Sequence, residues 1–272
     1  MTPRSLAPAA LLALLTARLP AQAPAAPPIA DNSFLLEEAY NQEAGVVQHI
    51  SAFQRSLKTG VWAYTFTQEW PVVLQRHQLS FTLPVQRAGG SGASTGIGDV
   101  ALNYRHQLGG GDGAVALAPR VSLVAPTGNA EKGLGSGGVG VQVNLPVSVT
   151  VARRLVTHWN AGLTRTPSAK NVLGAEAATT AYNLGASAIW QPGATFNVMV
   201  EVAWSRSEVV SGPDQTAAGE GLVVNPGIRW AHNFRSGLQI VPGVAVPIGV
   251  GPSRGETGAF FYLSFEHRFK AP

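Results

Sequence analysis

The stretch from Val139 to Val151 reads VGVQVNLPVSVTV, and its pattern decides the fold. Every second residue is valine or leucine, and the residues between them are glycine, glutamine, asparagine, proline, serine and threonine. Successive side chains of an extended strand point to opposite faces. The stretch therefore predicts a β-strand with one apolar face and one polar face.

The same alternation recurs along the chain from about residue 45 onward. We predict twelve strands, near residues 45–55, 60–70, 76–86, 97–108, 114–125, 138–151, 154–165, 178–190, 194–206, 221–233, 237–247 and 258–269. Single-chain bacterial barrels have an even number of antiparallel strands. The predicted fold class is therefore all-β, a transmembrane antiparallel up-and-down β-barrel over residues 45–269.

The connections between the predicted strands supply a second signal, because after the first hairpin they alternate between short and long. Short periplasmic turns and longer outer loops give this rhythm, which puts both chain ends in the periplasm. The short connections are Gly109–Gly113, Ala152–Arg153, Gln191–Gly193 and Asn233–Ser236. The long ones are Ala88–Thr95, Thr127–Gly137, Thr166–Ala177, Ser207–Gly219 and Ile248–Glu256.

All six tryptophans fall on the apolar face of the predicted strands, which favours a lipid-facing surface. Outer-membrane barrels carry girdles of aromatic residues where their strands reach the headgroups. We assign such a girdle to Trp62, Trp70, Trp190, Trp204 and Trp230; Trp159 shares their face. The final strand, Ala259 to Phe269, is also aromatic-rich and resembles the C-terminal signal of outer-membrane proteins. We therefore expect it to engage the barrel-assembly machinery.

The first 23 residues are typical of an export signal. Arg4 supplies a positive charge, and Ala9–Ala17 forms an apolar core much shorter than the roughly 20 residues of a spanning helix. Residues 24–44 then form a periplasmic leader. These features predict localisation in the bacterial outer membrane, with lipid as one partner. A soluble exported β-sandwich is the alternative that they disfavour.

The inward face of the predicted barrel carries the charged residues that could line a pore. We assign this role to Glu69, Arg105, Arg120, Glu201, Arg229, Glu266 and Arg268. Such charges can line a water-filled path, or they can pair across the lumen and fill it. Because buried charges need partners, we expect three of the arginines to face Glu201, Glu266 or water. Those three are Arg105, Arg120 and Arg229.

The segment Phe34 to Glu43 reads FLLEEAYNQE and is the one acidic, helix-compatible part of the chain. It directly precedes the first strand. We hypothesise that it folds into the periplasmic mouth as a short plug, with Glu37, Glu38 and Glu43 near lumenal arginines. A solvated tail and a helix on the membrane surface are the alternatives.

Composition excludes several function classes. Only 12% of the residues are charged, cysteine is absent, and the net charge of +4 is spread singly along the chain. This argues against a disulfide framework, a cysteine-ligated metal and a nucleic-acid surface. The six histidines have no metal-site spacing, and no nucleophile–base set emerges. We therefore expect no metal, no cofactor and no enzymatic activity.

Five prolines conflict with the strand assignment, because each removes one hydrogen bond from a ladder. They are Pro84, Pro119, Pro146, Pro226 and Pro242. Bulges or bends must accommodate them, unless some of the strand boundaries differ.

Four stretches together resemble the outer-membrane transporter family named for the meta-pathway of phenol degradation. They are Glu37–Ile50 (EEAYNQEAGVVQHI), Gly96–Leu108 (GIGDVALNYRHQL), Pro119–Asn129 (PRVSLVAPTGN) and Gly133–Pro146 (GLGSGGVGVQVNLP). The resemblance implies an outer-membrane barrel and uptake of small organic or aromatic compounds. We therefore expect a passive channel for small molecules of unknown identity. A closed barrel whose outer loops bind partners is the alternative function. The sequence leaves the oligomeric state open.

Overall fold

The computed structural model describes residues 29, 33–89, 93–109 and 114–269. The predicted export signal lies outside these residues. The described chain contains sixteen strands: β1 (Val46–Ser56), β2 (Trp62–Val73), β3 (His77–Arg87), β4 (Thr95–Ile97), β5 (Val100–His106), β6 (Val115–Leu117), β7 (Arg120–Ala125), β8 (Gly140–Ala152), β9 (Leu155–Lys170), β10 (Glu176–Gly193), β11 (Phe196–Gly212), β12 (Gln215–Trp230), β13 (His232–Asn233), β14 (Gln239–Ala245), β15 (Ile248–Gly249) and β16 (Gly258–Arg268). Short 3₁₀ helices cover Ala130–Lys132 and Gly251–Ser253.

The sixteen strands form one closed antiparallel sheet of twelve barrel strands. Four barrel strands are interrupted and consist of two segments each: β4 with β5, β6 with β7, β12 with β13, and β14 with β15. Neighbours in sequence are neighbours in the sheet, and β1 pairs with β16 to close the barrel. The predicted up-and-down barrel of twelve strands is confirmed. Within the described ranges, no helix has both the length and the apolar character needed to cross a membrane.

Each of the four interruptions lies opposite a proline of the neighbouring strand. Pro84 faces the break between β4 and β5, and Pro146 faces the break between β6 and β7. Pro226 faces the break between β14 and β15, and Pro242 faces the break between β12 and β13. Because proline cannot donate to the ladder, the partner strand loses its pairing at that point and resumes beyond it. Local breaks of this kind reconcile the prolines with the strand assignment.

Two predicted outer loops are wrong, because the structure continues the strands through most of them. In place of the loop Thr166–Ala177, β9 runs on to Lys170 and β10 begins at Glu176. In place of Ser207–Gly219, β11 and β12 continue to a two-residue turn at Pro213 and Asp214. All of residues 213–220 are exposed to solvent. These two hairpins therefore extend well beyond the rest of the wall.

The barrel has an apolar outer surface and a polar interior, as the alternation predicts. In β8 the outward residues Val141, Val143 and Leu145 are exposed, whereas the inward residues Asn144 and Ser148 are buried. The inward residues are buried because residues 33–44 occupy the lumen. The interior of this protein is thus formed by the wall together with its own N-terminal segment.

Candidate functional site

The outer surface forms a belt of large apolar side chains around the barrel. All six tryptophans lie on this outward face, and Trp159, Trp190 and Trp230 are among the most exposed of them. Trp230 ends β12 and Trp190 lies near the end of β10, whereas Trp62 begins β2 at the opposite rim. Exposed apolar side chains in a continuous belt are stable against hydrocarbon and unfavourable in water.

The inner surface is lined by charged and amide side chains. Glu69, Arg105, Glu201 and Arg229 are buried on the inward face, and Arg120 is partly buried beside them. The two remaining predicted pore residues, Glu266 and Arg268, lie on the same face at the end of β16, where Arg268 is exposed. All seven predicted pore residues therefore face the interior, although the N-terminal segment now covers most of them.

The N-terminal segment (residues 33–44) crosses the lumen as irregular chain, with bends at residues 34–36 and 39 and without a helix. Its backbone is held by side chains of the wall. Amide N–H groups of Leu35, Glu37, Ala39, Asn41 and Gln42 donate over 2.7–2.9 Å to side-chain oxygens of Glu201, Asn160, Ser148, Gln107 and Gln78, respectively. Because the wall supplies these partners, the segment has no need of helical hydrogen bonds.

Arg105 holds the end of the segment nearest to β1. Its guanidinium donates to the carbonyl oxygens of Glu38 and Tyr40 over 3.2 and 2.6 Å, and to the side chain of Asn41 over 2.8 Å. The carboxylate of Glu69 lies 3.7 Å away and balances the buried charge. A guanidinium has five donors in a fixed plane, so it can bind several acceptors at once.

Arg120 holds the centre of the segment through Glu37. The guanidinium binds both carboxylate oxygens, with nitrogen–oxygen distances of 2.7 and 2.8 Å. Burial by itself would raise the pKa of the Glu37 carboxyl, but the charges of Arg120 and Arg105 outweigh it, as do hydrogen bonds from Arg120 and Asn144. The pKa is therefore lowered from its ordinary value of 4.5. At neutral pH the carboxylate is charged and this contact is intact.

Phe34 anchors the far end of the segment in an aromatic slot. Its ring centroid lies 5.3 Å from that of Phe260 and 5.6 Å from that of Tyr262. Two glycines form the other side of the slot: a Cβ at Gly227 or Gly243 would lie 2.5 or 2.6 Å from the phenyl ring. At distances this short, only a residue without a Cβ fits, so both wall positions require glycine. The slot therefore accepts a large flat side chain because these two wall positions carry none.

A cavity of about 290 Å³ remains beside the segment. One side of it is polar, with Glu69, Asn103 and Arg120, and the other is formed by Ile50 and Phe34. The occupied lumen thus keeps free volume with mixed polarity. Among the described residues, no group of three or more candidate ligands could hold a metal ion.

Several sequence expectations about this site need correction. The segment is irregular, not helical, and Glu43 is exposed outside the cluster of arginines. Glu38 is buried, but it is its backbone carbonyl that contacts Arg105. The expected partners of Arg105 and Arg120 were also wrong, because these arginines pair with Glu69 and Glu37. Arg229 does interact electrostatically with Glu201.

Sequence reasoning missed the neutral side chains that bind the segment's backbone. They are Gln78, Gln107, Ser148 and Asn160. Ser187 was missed as well, and it binds the side chain of Ser33. Serine, asparagine and glutamine are ordinary residues at the inward positions of a barrel. Residue type alone therefore did not distinguish them, whereas the charged residues were recognisable as candidates.

Comparison with known proteins supports the fold. No protein-family model and no curated protein matches the sequence. The COG4313 outer membrane channel from Pseudomonas putida F1 superposes with a TM-score of 0.67 at 14% identity, covering 85% of this chain and 98% of that chain. The NanC porin gives a TM-score of 0.51 at 7% identity, covering 83% and 100%. The KdgM porin superposes with a TM-score of 0.50 at 7% identity, covering 82% of this chain and 99% of that chain. The chain therefore shares the closed twelve-strand fold of outer-membrane channels, which agrees with the localisation expected from its sequence.

Proposed function

We propose that this protein is a passive channel in the bacterial outer membrane whose lumen is occupied by its own N-terminal segment. One observation carries the proposal: the interior of the barrel is filled by a piece of chain that pairs with no strand of the wall. A closed structural barrel fills its interior with side chains of the wall itself. Here the wall side chains instead end in hydrogen-bonding groups around a separate segment, and a polar lumen is left when that segment moves out.

The contacts of the segment are suited to reversible binding. It belongs to no strand ladder, so its departure leaves every inter-strand hydrogen bond in place. Its own hydrogen bonds exchange for bonds to water, and each is therefore worth only about 0.5–1.5 kcal/mol net. The barrel and the segment can thus separate without unfolding of the wall.

The permeant class rests on the family resemblance of the sequence. We propose kinship with the transporter family named for the meta-pathway of phenol degradation, and passage of small molecules that include hydrophobic or aromatic ones. The mixed lining of the remaining cavity, polar at Arg120 and apolar at Ile50, suits compounds of that kind. A transport role without catalysis fits the absence of a nucleophile–base set in the sequence.

Deletion of residues 31–43 tests the proposal. The shortened protein and the full chain are refolded into planar lipid bilayers, and a heat-shift gel establishes that each barrel is folded. We expect the deletion to raise the single-channel conductance or the fraction of time spent open. A folded deletion variant with the conductance of the full chain would contradict the proposal.

A surface-interaction barrel is the second candidate. It is favoured by the two hairpins that extend beyond the rest of the wall, β9–β10 and β11–β12, called the tall hairpins below. β9 to β12 carry exposed residues far beyond the wall, where they could bind a partner. The two functions differ in one measurement: shortening a hairpin removes partner binding in the second case and leaves permeability unchanged.

A further inference from the structure

The wall of the lumen contacts the N-terminal segment mainly through its backbone. Besides the five amide groups described above, four carbonyl groups accept hydrogen bonds from the wall. Arg105 donates to Glu38 and Tyr40, Asn160 donates to Glu37, and Gln75 donates to Asn41. Asn160 binds both the N–H and the carbonyl of Glu37, over 2.9 and 2.7 Å. Every peptide has these groups, whatever its sequence.

Three positions of the segment are selected by shape or charge, in addition to the side-chain hydrogen bonds that Ser33, Asn41 and Gln42 form with the wall. Phe34 fits the slot between the two glycines and the two aromatic rings. Glu37 binds Arg120, and it also accepts from Asn144 over 3.0 Å. Ala39 is fully buried against Ala116 and Ala118, where a larger side chain has no room. These positions define a pattern: an aromatic residue, an acidic residue three later, and a small residue two after that.

We propose that the lumen is a binding site for non-helical peptides with this pattern, and that a separate peptide can occupy it in place of the chain's own segment. The N–H groups at 35, 37, 39 and 41 all point to acceptors on the wall, and a helix would instead use such groups for its own hydrogen bonds. The covalent link to β1 raises the local concentration of the segment but adds no contact to the site. A free peptide of the same pattern can therefore form the same nine backbone hydrogen bonds.

Binding of a peptide in trans tests the inference without relying on transport. The deletion variant lacking residues 31–43 is folded in detergent and titrated with a fluorescent peptide of residues 29–44, IADNSFLLEEAYNQEA. Fluorescence anisotropy reports binding. We expect saturable binding to the deletion variant and much weaker binding to the full chain, whose site is occupied.

A peptide N-methylated at Leu35, Glu37 and Ala39 is the matched control, because it keeps the sequence and removes three donors. Each hydrogen bond contributes about 0.5–1.5 kcal/mol, so the three changes together should weaken binding roughly tenfold to a thousandfold. A peptide that keeps the wall-contacting residues and shuffles the others should still bind; the kept residues are Ser33, Phe34, Leu36, Glu37, Ala39, Asn41 and Gln42. In the wall, Asn160→Leu should weaken binding. Ser205→Ala, at an inward position that does not contact the segment in the hydrogen bonds described above, should leave binding unchanged.

The outcomes distinguish a failure of this inference from a failure of the proposed channel function. Only the electrical readout of the experiment rests on that proposed function. If the deletion variant conducts ions and the peptide blocks the current, both proposals hold. If the variant binds the peptide but carries no current, the channel proposal fails and the peptide site stands. If a folded, conducting variant does not bind the peptide, or if the N-methylated peptide binds equally well, the inference is overturned.

Discussion

At the scale of single residues, the interior of this barrel follows the rule that buried charges must be paired. Arg105 lies beside Glu69 and a row of carbonyl oxygens, and Arg120 lies beside Glu37. Removal of one partner from such a pair leaves the other charge uncompensated, which costs more than the pair contributes. The pairs therefore fix the position of the N-terminal segment more than they stabilise the barrel.

The Arg120–Glu37 contact predicts how the segment responds to pH. The pKa of Glu37 is lowered in the folded state. The contact therefore contributes its full stabilisation at pH values above 4.5, the ordinary pKa of the group, and this stabilisation is lost as the pH falls through the lowered pKa. We expect the conductance of the full chain to rise in strongly acidic buffer. Loss of about 1 kcal/mol would raise the ratio of open to occupied channels roughly fivefold.

Glu37→Gln is the matched variant for this measurement. It keeps the shape of the side chain and removes the charge, so it should show the raised conductance already at pH 7. Its response to acid should be smaller than that of the unaltered chain. If the variant and the unaltered chain have the same pH profile, Glu37 does not control the segment.

Residue roles were predictable to the extent that they follow from strand alternation. Inward charges such as Glu201 and Arg229 were assigned from parity alone, and the structure places them in the interior. The partners of Arg105 and Arg120 were not predicted, because their pairing depends on the strand register and on where the N-terminal segment lies. Glu37 was named as a plug residue, but its contact with Arg120 spans 83 positions of sequence.

At the scale of the strands, the prolines show how a barrel tolerates residues that cannot donate. The sequence reveals the conflict at Pro84 and Pro146, but not its solution, since the break occurs in the neighbouring strand. Finding that break requires the register, which sets Pro84 opposite Gly98 and Asp99. Gly98 still donates to the carbonyl of Pro84 over 2.9 Å, so the break remains local.

The tall hairpins were assigned as loops because their sequences lose the apolar alternation. Beyond the lipid belt both faces of a strand are in contact with water. Polar residues therefore occupy even and odd positions alike, and the period-two signal disappears. Ser207–Gly219 shows this in β11 and β12, which stay paired as far as Gly212 and Gln215. Hydrogen-bonded hairpins can therefore continue where the hydrophobic pattern ends.

Replacement of residues 208–218 by an Asn-Gly turn tests whether the tall hairpin is separate from the barrel. The pair Ser207–Gly219 would then close the hairpin, and the pairs below it would keep their register. The lost contacts include the bond from the Thr180 amide to Glu208. We expect an unchanged heat-shift and an unchanged conductance. Failure to fold would show instead that this hairpin belongs to the stable core of the wall.

At the scale of the whole molecule, the sequence predicts the wall but not what fills it. Alternation and aromatic placement are local signals that repeat in every strand, so their sum identifies a closed barrel. The N-terminal segment has a helix-compatible sequence, and its non-helical conformation depends on acceptors from five separate parts of the chain. Such long-range partners override local propensity, which is a weak determinant of structure.

The outward position of all six tryptophans predicts that lipid reaches every one of them. In vesicles of brominated phospholipid, most of the tryptophan emission should be quenched relative to vesicles of the unbrominated lipid. Aqueous acrylamide should quench little. Bromine near the headgroups should act most strongly on Trp230 and Trp62, which lie at the strand ends, and bromine deeper in the chains on Trp159. Variants that retain one of these tryptophans, with phenylalanine at the other five positions, resolve the depths. Strong quenching by acrylamide and none by brominated lipid would mean that the apolar belt is not in contact with a membrane, and the channel would then have no bilayer to cross.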